Sequence, residues 1–219
     1  MAYTGDMARP ASRTRGRGRP TTDEGLREVI RQAALTQFAE AGYSGTSLRK
    51  IAGAAGVDPS LVLHYFGSKE ELFAAALTPP VDFSVVIPQL LSAPESQRAE
   101  RVAQFIVQLL DRPEPRQTMT AAVRSATPTG GADVQVRRAI TTQVIRPLAE
   151  ALQSDHPELR AAMLGSQMVG LVMARHVVGL PTVAELTSED LVAIIAPVVQ
   201  RYLFDPLGLA ATGPTEVRG

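Results

Sequence analysis

LRKIAGAAGVDPSLVLHYF, residues 48–66, describes two short helices joined by a tight turn. Ile51, Ala52 and Ala55 form one apolar face. The two alanines are small where a crossing helix comes close, and Gly56 follows where a left-handed residue ends the first helix. Asp58 is placed to cap the second helix. Pro59 falls at the first helical position, where a missing N–H costs nothing. On that second helix Val62 and Phe66, four apart, point inward with Leu61 and Tyr65 beside them. Pro59, Ser60, Leu63 and His64 are left outside. This is a helix-turn-helix pattern, and it places the outer residues of its second helix in a DNA major groove. Leu63 suits a thymine methyl, Ser60 a base or phosphate, and His64 and Tyr65 the phosphate oxygens.

Outward from this window the periodicity stays helical. Leu26, Val29, Ile30, Ala33, Ala34, Phe38 and Ala41 repeat at three and four before Gly42. Helices are expected over about 22–41, 48–54, 59–66, 69–77, 81–91, 95–111, 116–125, 132–154, 158–178 and 188–204, separated by Gly and Pro turns. No stretch alternates with period two, so the chain reads as all-α. It divides into a basic arm (1–21), the helix-turn-helix unit (22–68), a helical regulatory and dimerisation unit (69–205) and a tail (206–219).

The 219 residues include 22 Lys and Arg, 22 Asp and Glu, three His and no Cys, with 45% hydrophobic residues. Disulfides, thiolate zinc sites and cysteine nucleophiles are excluded. His64, His156 and His176 are too widely spaced for a metal site, so neither catalysis nor a cofactor is expected. The most apolar stretch, 163–180, is interrupted by Ser166, Gln167, Arg175 and His176, so a cytoplasmic protein without a membrane span is expected. The zero net charge hides an uneven distribution. Ten Lys and Arg and eight Asp and Glu precede residue 81, with twelve and fourteen after it. Arg9, Arg13, Arg15, Arg17 and Arg19 fall in an acid-free run suited to a polyanion.

The run from Arg19-Pro20 through the first helix and IRQAALTQFAEAGYSGTSLRKIAGAAGVDPSLVLHYFGSKEELFAAAL resembles the N-terminal DNA-binding domain of the tetracycline-repressor (TetR) family. The likeness covers about sixty residues and includes Ala33-Ala34, Phe38, Gly42-Tyr43, Thr46-Ser47 and the FGSKEEL segment at 66–72. It implies a repressor whose operator binding a small molecule relieves. It also implies DNA contacts by Arg17, Arg19, Thr46, Ser47, Ser60, Leu63, His64, Tyr65 and Lys69. Many members carry tyrosine where this chain has Leu63, a departure that bears on the operator sequence. The helix from Lys69 is expected to link the two units mechanically.

The last helices resemble those that pair across a twofold axis in actinobacterial-type members. That implies a homodimer interface of Gly165, Met168, Leu171, Val172, Arg175, Ile195, Val198, Val199 and Tyr202. Gly165, Ser166, Gly170 and Ala174 form a small-residue strip that suits close helix packing. A ligand pocket is expected among the middle helices, lined by Phe83, Phe105, Met119, Val123, Arg124, Gln143, Met173 and His176. An anionic or acyl ligand is expected if Arg124, Arg175 or His176 faces it. The alternative is a dimeric or architectural DNA-binding protein that senses nothing.

Overall fold

In a computed structural model, residues 23–126 and 132–209 are described, and all regular elements among them are helical. They are α1 (Asp23–Gly45), α2 (Leu48–Ala55), α3 (Pro59–Phe66), α4 (Lys69–Ala76), α5 (Phe83–Leu91), α6 (Glu95–Asp111) and α7 (Pro113–Ser125). After the interval come α8 (Asp133–Ile140), α9 (Arg146–Ala151), α10 (Pro157–Val172), α11 (Pro181–Ala184) and α12 (Ser188–Val199). Single π-helical turns at Thr141–Ile145, Met173–Val177 and Gln200–Phe204 join or extend these helices.

The local reasons match the sequence. Ser47, Asp58 and Ser68 accept backbone N–H bonds at the starts of α2, α3 and α4, and Gly56, at φ 67°, closes α2. Pro113 falls at the break between α6 and α7, as expected, but the second helix starts there and not at 116. It occupies the first turn of α7, where its missing N–H has no acceptor to lose. Pro197 lies inside α12, and the hydrogen-bond ladder widens into a π-turn from Gln200. The single-turn α11 was not expected.

Two cores result. The first gathers Ile30, Leu35 and Phe38 of α1, Ile51 of α2, Val62 of α3, and Leu72 and Phe73 of α4, and Ala121 of α7 and Val136 of α8 join it. Phe38, Tyr43 and Phe73 interlock, with Phe73 edge-on to both rings at 4.8 and 5.0 Å between centroids. Thus α4, expected to open the regulatory half, buries its inner face in the DNA-binding half. The second core packs α12 along α6 and closes over α9 and α10, through residues such as Val107, Leu148, Leu164, Leu191 and Val199. Arg160 is almost fully buried at its edge. Its guanidinium bonds Asp155 and the carbonyls of Tyr202 and Asp205 at 2.8 and 2.9 Å, fastening the start of α10 to the end of the chain's last turn.

Helix α7, from the expected regulatory half, packs along α1 as part of the first core. Residues 82 apart pair at both ends of the contact. Gln32 donates to Glu114 at 2.8 Å, and the Tyr43 N–H donates to Ser125 Oγ at 3.0 Å. Arg31 adds an ion pair to Glu114 at 2.5 Å. The constant offset means that α1 and α7 run parallel for eleven residues, about 16 Å. At the far end a Cβ on Gly42 would lie 3.1 Å from the Arg124 carbonyl oxygen, so the absence of a side chain there allows the close approach.

Candidate functional site

The recognition surface is built by α2 and α3. Val62 and Phe66 are buried, while Leu63 is 45% exposed and Ser60 and His64 are exposed, as the spacing requires. The His64 ring lies edge-on to Tyr65 at 5.3 Å. Ser47 is exposed at the start of α2. Ser60 donates its hydroxyl to Asp58 at 2.6 Å and its N–H at 2.8 Å, so its oxygen is left as an acceptor. These bonds hold the Asp58 carboxyl below its ordinary range. Tyr65 donates its hydroxyl to Asp23 at the start of α1, and that bond pushes the phenol's pKa up.

Two expected phosphate ligands are turned inward. Thr46 is only 3% exposed, and its hydroxyl lies 2.8 and 3.0 Å from the carbonyls of Gly42 and Gln37. It satisfies the frayed end of α1 instead of facing solvent. Lys69 donates to the Tyr43 carbonyl at 2.6 Å, with its ammonium 4.0 Å from the Tyr43 ring centroid. Burial lowers its pKa. The conflict between a cation and the N-terminus of α4 is therefore relieved inside the molecule, and no phosphate is needed to resolve it. Arg17 and Arg19 lie outside the described residues. Arg49 and Lys50, exposed on α2, were missed, although two cations inside the quoted window were signal enough. Arg27, on α1, also escaped the sequence reading. It lies over the Phe66 ring at 4.8 Å, beside the end of α3.

Behind the second half of the contact lies a cavity of about 290 Å³ between α5, α6, α7, α8, α10 and the π-turn at Thr141–Ile145. Phe83, Phe105, Met119, Val123 and Gln143 line it. Arg124, Met173 and His176 do not. Arg124 is exposed on the far side of α7, and Met173 is exposed at the end of α10. Arg175 donates to the carbonyls of Val183 and Leu186, each at 3.0 Å, bracing the loop around α11. His176 buries Nε2 without a partner among the described residues. Burial lowers its pKa, and Arg116 and Arg175 push it the same way.

Helix α7 is the shared wall. Pro115, Thr118, Met119, Ala122 and Val123 recur at three- and four-residue spacing along its cavity side. Glu114, Ala121 and Ser125 mark the neighbouring side, which meets α1 and the first core. The end of α4 reaches the same cavity through Leu77.

The expected dimer residues divide. Val172, Ile195 and Val199 are at most 5% exposed, because Val172 faces the cavity and the other two lie in the second core. They are not available to a second copy. Gly165, Met168, Leu171, Arg175, Val198 and Tyr202 are half-buried. The exposed large apolar residues of these helices include instead Leu159, Val169, Met173 and Ile194. Among the described residues no group of three or more His, Asp or Glu could hold a metal ion, and no helix is long and apolar enough to cross a membrane.

Comparison with known proteins agrees with this architecture. Residues 30–76 match the model of bacterial regulatory proteins of the tetR family, and residues 97–203 match the tetracyclin repressor-like C-terminal domain. A TetR-family regulator from Streptomyces coelicolor A3 superimposes with a TM-score of 0.60 at 32% identity, over 86% of this chain and 99% of that one. The chain belongs to the TetR family. Among curated TetR-like relatives, the HTH-type transcriptional regulatory protein RaaS of Mycobacterium tuberculosis is 58% identical over 43 residues, 20% of each chain. The HTH-type transcriptional regulator RutR of Escherichia coli K12 is 38% identical over 76 residues, 35% of each. These two alignments therefore span only a fifth to about a third of the curated relatives.

Proposed function

We propose that this TetR-family chain is a cytoplasmic transcriptional repressor that binds a pseudo-palindromic operator as a homodimer and releases it when a small molecule fills the cavity. The observation that carries the reading is the placement of α7, with one side on the cavity and the next on α1. A ligand that favours one position of α7 biases the packing of α1, and with it the spacing of two α3 helices in a dimer. The expected lever, α4, contributes through Leu77 but is bound into the DNA-binding core.

Ser47, Arg49, Lys50, Leu63 and His64 present the DNA surface, joined by the arginine arm. The exposed apolar residues Val169, Met173 and Ile194 favour a dimer face along α10 and α12. An architectural protein that senses nothing has no use for an internal apolar cavity, so the sensing reading is preferred. The test is selection of bound fragments from sheared bacterial genomic DNA. The reading requires recovery of a shared inverted repeat with half-sites about one helical turn apart. Recovery without any common sequence would overturn it.

A further inference from the structure

We infer that the cavity takes an uncharged lipophile bearing one hydrogen-bonding group, and that the Gln143 amide is the residue that reads that group. The inference rests on the reading of the cavity as an effector site and names the class of effector. Among the described residues that line the cavity, only Thr118 and Gln143 have polar side chains, and none is charged. The Thr118 hydroxyl proton is committed to the Glu114 carbonyl at 3.1 Å, one turn back along α7. Gln143 has no side-chain partner among the described residues and carries both a donor and an acceptor. It sits in the middle of the π-turn at Thr141–Ile145, and such turns interrupt helices where side chains are re-aimed at functional sites.

The cations that would have favoured a carboxylate are elsewhere. Arg124 is exposed, and Arg175 is bonded to backbone carbonyls. His176 lies outside the lining, with burial and the two arginines favouring its neutral form. An ionised headgroup entering the cavity would lose its water and find no counter-charge. The volume, near the lower end of the roughly 300–1,000 Å³ of small-molecule sites, suits a short chain or a compact ring system better than a large conjugate.

The test uses the full chain and three ligands of one length, 1-decanol, decanoate and decylammonium, at pH 8, where the last two are charged. Binding is followed by displacement of a neutral solvatochromic dye. Decanol should bind at least about 100-fold more tightly than either ion. Gln143→Leu should weaken decanol by about five- to tenfold. Gln143→Lys should reverse the order in favour of decanoate. Decanoate binding as tightly as decanol in the unaltered chain overturns the inference and leaves the cavity as an effector site of another class. Failure of all three to bind overturns the effector-site reading as well. An unchanged decanol affinity in folded Gln143→Leu removes Gln143 from the role. The comparison of ligands in the unaltered chain needs no variant, so a substitution that fails to fold does not shelter the claim.

Discussion

Replacing Gly42 by alanine tests the contact between the two halves where it is tightest. Gly42 has φ 69° and ψ 178°, a region that residues with a Cβ essentially never occupy, and forcing alanine there costs about 1–3 kcal/mol. The added Cβ would also come 3.1 Å from the Arg124 carbonyl oxygen. That atom belongs to the last turn of α7 and cannot rotate away as a flexible side chain could. Adjusting the helix by a few tenths of an ångström brings the total to roughly 2–4 kcal/mol. Gly53→Ala is the matched control. Gly53 lies inside α2 with open space around its Cβ position, so alanine should stabilise by about 0.5–1 kcal/mol. Urea unfolding at equal protein concentration distinguishes them. With a slope of about 2 kcal/mol/M, the Gly42 variant should lose about 1–2 M in its midpoint and the Gly53 variant should gain. Equal shifts of the same sign would refute the conformational argument. A loss below about 0.5 kcal/mol at Gly42 would refute the close approach to α7.

Other consequences follow from single residues. Thr46→Val leaves the carbonyls at the end of α1 without their buried donor, so it should cost about 1–3 kcal/mol of stability while leaving the salt dependence of DNA binding unchanged. A lowered salt slope would return Thr46 to the phosphates. From Asp23 to Ala76 there are five Lys and Arg against seven Asp and Glu, so the proposed DNA binding requires positive charge from the arm. Deleting residues 1–18 removes four of its arginines and should reduce the slope of log K against log salt by about 2–4. An unchanged slope contradicts this. The bond from Arg160 holds the Asp155 carboxyl below its ordinary value. A depressed acid contributes stability above its unfolded pKa and loses it as pH falls through the folded one. Stability should therefore drop below about pH 4, and the drop should be shallower in Asp155→Asn, as followed by thermal melts across pH 2–7. An identical acid limb in the variant would contradict the assignment.

What was legible in the sequence was what local chemistry controls. The Asp58-Pro59 start and the two inward residues Val62 and Phe66 fixed α3 to the residue, and Pro94 with an amphipathic run fixed α6. The DNA contact of Thr46 rested on the family resemblance alone, and nothing in the local sequence marks the residue as buried. Only the folded turn shows that the carbonyls of Gln37 and Gly42 lie over it. Val172, Ile195 and Val199 show a related limit. Apolar periodicity says that a helix has a face to cover, and does not say whether its own chain or a second copy covers it. The register of α1 against α7 was equally hidden, since a pairing across 82 residues leaves no local trace. The π-turns also lack a sequence signature, so the position of Gln143 on one of them emerged only with the fold.

The central claim is that the cavity and the DNA surface are coupled through one body. Linkage makes that claim quantitative, because a ligand that weakens operator binding by some factor must itself be weakened by operator to the same extent. The direct measurement is operator affinity by fluorescence anisotropy with and without saturating 1-decanol, paired with decanol affinity with and without operator. The account predicts equal factors in both directions, each of about 5–150-fold. A cavity that binds decanol while operator affinity stays unchanged would contradict it.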